Sequence, residues 1–390
     1  KGNQWAFYPS VSAAWVLSNE AFLKDSKVVD LLKLRLSYGR SGFADSGATG
    51  VLSNYSSNGR YLFKDYYTNS YVGSFYMGSG EGVWQSSLVH MFLANAGVHA
   101  EKSSKYNVGI DAELFGKLHL SADAFIDKRT DILTLDNSMM GYYGKNYYFD
   151  NIGKMTNKGV ELSAVWNDQR ANWGYSINGS VSFNRNKIDY MAEVAPAYSY
   201  NAQTGRPYGT LIGLVADGFY DVDDFNADGS LKADLPQPMF GAVQPGDIKY
   251  RDLNGDGIVD GNDVTTAGSP TVPEIQYGIG ATVKWRRLDF SFMFQGASNV
   301  SLRMYNMHPF CDASHFGYGI TQYIADNHWS EDNNRADAAY PRLTSQLSSN
   351  NTQSSTFYIH DAKYLRLKTV ELGYTIKKLR VYLSGNNLFV

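Results

Sequence analysis

Hydrophobic and polar residues alternate in several segments of the chain, and these segments come in pairs. Within residues 117–127 (KLHLSADAFID), every second residue from Leu118 to Ile126 is apolar, and most residues between them are polar or charged. Because successive side chains of a strand point to opposite faces, this pattern predicts a strand with one apolar face. The preceding segment, 106–115, alternates in the same way. Only the corner at Gly116 separates the two, so we expect an antiparallel hairpin.

Four further pairs of segments share this alternation and a short connection. They are 5–16 with 31–39, 158–167 with 173–186, 275–285 with 288–296, and 364–375 with 379–389. The first pair is less regular, and its connection could hold a short helix. The sequence therefore predicts about ten strands. Most are near the ~9 to 11 residues that a tilted strand needs to cross a bilayer.

The connections between the pairs are much longer than the turns within them. They cover residues 40–104, 128–157, 187–274 and 297–363. Connections in compact domains usually have only ~2 to 6 residues. Short turns at one end of the strands and long loops at the other are typical of outer-membrane barrels, whose long loops are extracellular. We therefore expect an all-β fold, in which the antiparallel strands form part of a larger transmembrane β-barrel.

Composition limits the alternatives. Charged residues make up 19% of the 390 residues and aromatic residues 14%, with 29 Tyr, which is typical of a folded chain and not of a disordered one. The net charge of −3 and the absence of a basic stripe argue against nucleic acid as a partner. The single cysteine, Cys311, cannot form an internal disulfide. No apolar run approaches the ~18 to 20 residues of a spanning helix.

One long connection contains a segment that matches the pattern of a calcium-binding loop. DLNGDGIVDGND (252–263) places oxygen ligands at alternate positions and a glycine, Gly257, at the sharp turn. The predicted ligands are Asp252, Asn254, Asp256, Ile258 through its carbonyl, Asp260 and Asp263. Asp263 stands where a longer glutamate is usual, so weaker closure is expected. Because the flanks do not resemble helices, we expect a pinned loop rather than a helix-loop-helix switch. The alternative is an Asp/Asn-rich turn that holds its shape by hydrogen bonds to its own backbone.

Several stretches together resemble the C-terminal barrel portion of SusC/RagA-type TonB-dependent outer-membrane transporters. They include YPSVSAAWVLSNE (8–20), EKSSKYNVGIDAELFGKLHLSADAFIDKRTDIL (101–133), NIGKMTNKGVELSAVWN (151–167) and GRPYGTLIGLVADGFY (205–220), and they occur in the expected order. The resemblance implies a 22-stranded barrel in the full protein, filled by a plug and driven by the TonB complex. It also implies a SusD-like surface lipoprotein as partner, and an oligosaccharide or peptide as cargo. Residues 1–390 are then one partial barrel domain, in which the plug and the signal peptide are absent.

Within this hypothesis, exposed aromatic residues of the long loops are candidate contacts for the cargo, because flat aromatic faces suit sugar rings and peptide side chains. The candidates are Tyr66, Tyr67, Trp84, Tyr142, Tyr143, Tyr147 and Tyr148. Each could instead pack within a loop or lie at the membrane interface.

Three other classes compete with active import. A passive porin would lack a plug, whereas a soluble, calcium-binding β-rich glycan-binding protein would pack its apolar strand faces together. An enzymatic barrel would need a nucleophile and a base at the edge of the lumen, and the sequence nominates no catalytic residue. We therefore expect a transporter in the outer membrane and not an enzyme.

Overall fold

The structure is a computed structural model, which describes residues 5–43, 62–78, 82–136, 148–304, 320–332, 338–344 and 348–390. Its strands, in chain order, are β1 (Ser10–Val16), β2 (Val29–Phe43), β3 (Tyr66–Met77), β4 (Val83–Phe92), β5 (Glu101–Leu114), β6 (Leu118–Leu135), β7 (Phe149–Gln169), β8 (Trp173–Tyr190), β9 (Leu211–Gly213), β10 (Ala216–Phe219), β11 (Gln237–Pro238), β12 (Ile248–Tyr250), β13 (Ile258–Val259), β14 (Thr265–Gly268), β15 (Ile275–Trp285), β16 (Leu288–Ser298), β17 (Ser301–Arg303), β18 (Ile359–Asp361), β19 (Tyr364–Ile376) and β20 (Leu379–Phe389). The helical elements are the α-helix Gln322–Asn327 and the 3₁₀ turns Leu17–Asn19, Ser199–Asn201, Val222–Asp224 and Gly261–Asp263.

Ten of these strands form one antiparallel sheet. Its order is β1-β2-β5-β6-β7-β8-β15-β16-β19-β20, so each strand of this sheet pairs with the sheet strands before and after it in the chain. The predicted antiparallel sheet of about ten strands is confirmed. Among the described residues, no helix is long and apolar enough to cross a membrane.

The strands extend further towards the long connections than the sequence predicts. β6 continues to Leu135 and β7 begins at Phe149. Much of the predicted loop 128–157 is therefore strand, and that boundary prediction is wrong. β2 and β5 are extended at the same end of the sheet, whereas β1 begins only at Ser10. The alternation fades in these extensions because they no longer have one face in contact with lipid.

The two faces of the sheet differ in chemistry. On one face, aligned residues of neighbouring strands are apolar, as in the row Leu36, Val108, Ala124, Val160 and Phe183. Leu36 and Val108 are each 47% exposed and Val160 is 54% exposed. A large apolar surface of this kind needs a nonaqueous environment, which a bilayer provides. We call this face the outer face, and the opposite, polar face the inner face.

Most of the deeply buried apolar residues in the described part of the chain belong to the long connections, although Phe149 of β7 and Ala297 of β16 are also only 2% exposed. Leu214, Ile248, Tyr250, Val259 and Tyr358 form one core, against which Ala216, Phe219, Phe240, Val264 and Phe357 pack. This core unites the short strands β9 to β14 with the segment before β19. We call residues 211–268 together with 348–361 the loop module. A folded unit of this size explains why such long connections can keep one structure.

The first long connection contains a hairpin made of β3 and β4, which pair antiparallel. Asn95, just beyond this hairpin, is buried, and its amide donates to the carbonyl of Phe149 at 2.9 Å and to Asp150 Oδ1 at 3.0 Å. Its backbone N–H also donates to the carbonyl of Leu62 at 2.8 Å. We call the pair β3 and β4 the outer hairpin. Hydrogen bonds of Asn95 therefore attach the base of the outer hairpin to the start of β7.

Candidate functional site

The calcium-like loop is closed by its own carboxylates. Asp252 accepts hydrogen bonds from the backbone N–H of Gly255 at 2.6 Å and of Gly257 at 2.8 Å. Asp263 is fully buried and accepts from the N–H of Leu253 at 2.7 Å and of Asp260 at 2.8 Å. The first and last positions of the predicted ligand set thus hold the two ends of the loop together.

The central positions of this loop form a further set of local hydrogen bonds. Asn254 accepts from the N–H of Asp256, which accepts from the N–H of Ile258, and Asp260 accepts from the N–H of Asn262. Strand β12 precedes the loop and β14 follows it, so the flanks are not helices.

In the described part of the chain, no three or more His, Cys, Asp or Glu side chains are grouped so that they could hold a metal ion. Hydrogen bonding within the turn accounts for the contacts of the loop side chains. Calcium binding here stays a prediction.

A buried polar network joins the two halves of the loop module. Asp247 is fully buried, and its carboxylate accepts from Arg342 Nε at 2.6 Å and from the amide of Asn351 at 2.8 Å. Asn351 Oδ1 accepts from the N–H of Ile248 at 2.9 Å. A buried carboxylate is tolerated only when it is paired and hydrogen-bonded, and these partners meet that condition.

Asn350 and two tyrosines complete this junction. The amide of Asn350 donates to the carbonyl of Ile248 at 2.8 Å, and the hydroxyl of Tyr250 donates to the carbonyl of Asn350 at 2.8 Å. The hydroxyl of Tyr358 donates to the carbonyl of Asn351 at 2.6 Å. Segments of two long connections are thus joined into one folded unit. No local pattern in the sequence marks these residues, because most of their partners lie about a hundred positions away in the chain.

Tyr220 shows how closely this module is packed. The residue is 2% exposed, and burial raises the pKa of its phenol to about 12, with smaller contributions from the charges of Asp224 and Asp247. Its ring lies 5.6 Å from Lys249 Nζ. The phenol therefore stays protonated at any physiological pH, and we assign it a packing role.

The predicted aromatic contacts are only partly brought together. Tyr67 and Trp84 both lie on the outer hairpin and are 51% and 64% exposed. The Tyr67 ring stacks on His90 at 4.5 Å between centroids, and Trp84 meets Tyr76 edge-on at 5.6 Å. Tyr66 starts the same strand, and its backbone aligns with that of Phe92.

The other predicted aromatic contacts lie away from this hairpin. Tyr148 is half-buried beside the start of β7. Tyr142, Tyr143 and Tyr147 lie outside the described residues.

The inner face carries a cluster of charged residues on β2, β5 and β6. Arg35 Nε lies 2.8 Å from Asp111 Oδ2, and Arg35 Nη2 lies 2.9 Å from Asp123 Oδ2. Gly109 makes this arrangement possible, since a Cβ at that position would lie 2.5 Å from Asp123 Oδ1 and 2.7 Å from the guanidinium. Arg380 forms a second such cluster with Asp289 and Glu371.

Between these clusters lies a groove of about 360 Å³. Its lining includes Glu161, Ser163, Ser180, Gln276 and Gln295. Hydroxyl, amide and carboxylate groups of this kind can exchange hydrogen bonds with a polar cargo or with a polar domain inside a barrel.

The ten strands form an antiparallel sheet with an apolar outer face and a polar inner face. Short turns lie at one end of the strands, and the folded loop module lies at the other end. This arrangement defines a segment of an outer-membrane β-barrel. The comparison with protein families gives the same result. The chain belongs to the family described as TonB dependent receptor-like, beta-barrel, whose model matches residues 1–388. This family consists of receptors and transporters of the outer membrane and not of enzymes.

Individual relatives agree with this assignment and with the SusC/RagA-type resemblance. TonB-dependent receptor P26 of Formosa agariphila is 29% identical over all of this chain, and TonB-dependent receptor SusC of Bacteroides thetaiotaomicron is 26% identical over all of it. The chain covers 38% and 37% of their respective lengths. Among solved structures, the RagAB peptide transporter matches the whole chain with a TM-score of 0.66 at 20% identity, and the chain covers 40% of it. That likeness shows a shared fold.

Proposed function

We propose that the whole protein imports a large nutrient across the outer membrane by TonB-dependent active transport. The observation that carries this proposal is the family match over residues 1–388, because that family consists of TonB-dependent receptors. The folded loop module and the polar inner face support it. The loop module offers a structured extracellular surface, and the polar inner face offers a hydrophilic path.

The partners follow from the same proposal. Energy would come from the TonB complex, which would act on a part of the whole protein beyond this chain. A SusD-like lipoprotein would cover the extracellular surface, since the relatives include SusC itself. Co-purification of the tagged full-length protein from outer membranes tests this partner. Recovery without any surface lipoprotein would contradict it.

The cargo would be an oligosaccharide or a peptide. The similarity to the RagAB peptide transporter supports a peptide, and the SusC/RagA-type resemblance of the sequence also allows an oligosaccharide. Binding screens of the full-length protein with defined peptide and oligosaccharide pools separate the two. Binding of neither pool would remove both classes of cargo from the proposal.

Uptake measurements in cells test the transport mechanism itself. Cells that carry the full-length protein should accumulate the labelled cargo, and accumulation should stop when TonB is deleted or the proton gradient is collapsed. A passive porin gives the opposite result, because diffusion needs no energy. Uptake that survives the loss of TonB would therefore favour the porin and overturn active import.

Calcium binding by the 252–263 loop is a separate proposal. The ligand set would be Asp252, Asn254, Asp256, the carbonyl of Ile258, Asp260 and Asp263, and the ion would pin the loop. Hydrogen exchange of the full-length protein with and without calcium is the test. Added protection confined to residues 252–263, and lost in Asp256→Ala, supports the site. Equal exchange with and without calcium leaves only the hydrogen-bonded turn.

A further inference from the structure

The outer face carries a band of positive charge directly above its apolar surface, on the side of the long connections. One row of aligned residues contains Arg40, Ser104, Lys128, Thr156 and Lys187, taken across β2, β5, β6, β7 and β8. The three cationic side chains of this row are exposed. Cross-strand alignment places them in one row across neighbouring strands of the sheet, on the same face.

The next row towards the membrane marks the boundary. It contains Tyr38, Tyr106, Ile126, Lys158 and Arg185 in the same order of strands. Three of these residues are aromatic or aliphatic, as expected at the edge of an apolar band, and the last two are cationic. Lys158 is a diagonal neighbour of both Lys128 and Lys187, and such neighbours lie ~7 to 8 Å apart. We call Arg40, Lys128, Lys158 and Lys187 the outer cationic patch.

The acidic residues near this patch are already engaged. Arg185 forms a two-pronged ion pair with Glu274, with Nε–Oε1 at 2.9 Å and Nη2–Oε2 at 2.6 Å. Asp131 lies 2.7 Å from Lys102, so its charge is also paired. Asp189 accepts from the hydroxyl of Thr156 at 2.5 Å and keeps its negative charge. Four cations against this one carboxylate still leave the patch with a net positive charge on the outer face.

We propose that the outer cationic patch binds the phosphate groups of lipids in the outer leaflet of the membrane. The long loops of an outer-membrane barrel are extracellular, so this end of the sheet lies at the height of the outer headgroups. The patch is continuous with the apolar outer face, and a phosphorylated lipid can satisfy both surfaces at once, with its acyl chains below and its phosphates above. Basic side chains next to a membrane surface each contribute about 1 kcal/mol to anionic lipid binding, or roughly fivefold in affinity.

A binding measurement with the purified full-length protein in neutral detergent tests this proposal. The probe is fluorescent lipid A that carries its phosphates, compared with the same lipid after enzymatic dephosphorylation. The patch variant is K128Q/K158Q/K187Q. The matched control is K24Q/K27Q/K378Q, which removes the same charge from exposed lysines in the turns at the opposite rim. Heat-modifiable mobility on gels verifies that both variants fold.

The wild type and the control should bind the phosphorylated lipid equally, and added salt should weaken that binding. The patch variant should bind it about a hundredfold less, from three losses of roughly fivefold each. Equal affinity for dephosphorylated lipid, an unchanged patch variant, or an equal loss in the control would overturn the proposal. The proposal would also be overturned if the patch variant lost binding to an acidic protein partner but kept its affinity for the phosphorylated lipid. Because the readout is binding and not uptake, failure of the import proposal leaves this result unaffected.

Discussion

At the scale of single residues, Asp247 holds a position that few carboxylates occupy. It is fully buried at the junction of two long connections, and it accepts hydrogen bonds from Arg342, from Asn351 and from the N–H of Gln244 at 2.9 Å. Loss of one partner from a buried ion pair is costly, because the other charge stays buried without compensation. The loop module therefore depends on this one side chain far more than on any exposed ion pair.

We expect Asp247→Ala to destabilise the loop module by about 3 kcal/mol, within the range for broken buried pairs. Limited proteolysis of the full-length protein should then show faster cleavage in residues 211–268. Asp361→Ala is the control, because Asp361 pairs with Lys363 at 2.8 Å on the surface, where such pairs contribute roughly 0 to 1 kcal/mol. Similar cleavage rates in the two variants would show that the buried network does not stabilise the module.

Gly246, beside Asp247, gives a second prediction at this scale. Its φ is +85°, and a Cβ there would lie 2.1 Å from the buried ring of Trp329. Gly255 has a similar φ of +76° but open space around it. Gly255→Ala should therefore cost only the backbone term of about 1 kcal/mol, whereas Gly246→Ala should add a steric cost of ~1 to 3 kcal/mol.

Hydrogen exchange of the loop-module amides measures the difference between these glycine variants. We expect exchange at Ile248 and Tyr250 to rise much more in Gly246→Ala than in Gly255→Ala, where a backbone cost of about 1 kcal/mol limits the increase to roughly fivefold. If both variants exchange alike, the close approach to Trp329 has no energetic consequence.

At the scale of elements, the outer hairpin is the best described candidate for cargo contact. Trp84 and Tyr67 are exposed there, and an exposed aromatic ring at the centre of an interface commonly contributes ~2 kcal/mol or more to binding. Trp84→Ala should weaken cargo binding by the full-length protein about tenfold or more, measured by calorimetry, without a change in its unfolding temperature.

The control for this variant lies at the opposite edge of the sheet. Trp285 is also exposed, at 58%, but it sits beside the short turn to β16, away from the extracellular side. Trp285→Ala should leave cargo affinity unchanged. Equal affinity of the wild type and Trp84→Ala would remove the hairpin from the cargo site.

The elements also explain why the sequence predicted some features and not others. β15 and β20 were predicted with their observed bounds, because alternation continues along each strand and ends at its turns. The predicted start of β7 was residue 158, but the strand begins at Phe149. Its first segment (FDNIGKMTN) carries no regular apolar face, so the alternation did not predict it as strand. Apolar and polar residues alternate where one face of a strand contacts lipid. Where the strand continues into water, this alternation no longer marks it.

The candidate site was less predictable than the sheet for a related reason. The 252–263 loop is visible in sequence because its oxygen-bearing residues lie next to one another. The Asp247–Asn351 contact joins residues 104 positions apart, and neither residue has a local signature. Sequence spacing therefore located the turn, whereas the assembly of two connections into one module required the fold.

At the scale of the whole molecule, two parts with different sources of stability share one chain. The sheet pairs its strands through long ladders, which are uninterrupted in β5 with β6, and lipid leaves the backbone groups no other partner. The loop module is held by a small core and by side-chain hydrogen bonds in water. Parts with few buried contacts open locally at lower free energy than the rest of a protein.

We therefore expect the loop module to lose structure well below the temperature at which the barrel unfolds. Stepwise heating of the full-length protein in detergent, followed by brief proteolysis, should first release cleavage sites within residues 211–268 and 348–361. The heat-modifiable gel mobility that reports a folded barrel should persist at those temperatures. Asp247→Ala should lower the first transition and leave the second unchanged, because the Asp247 carboxylate accepts its hydrogen bonds, among the described residues, from the module and from Arg342. A single transition that removes protease resistance and gel mobility together would mean that the module and the barrel unfold as one unit.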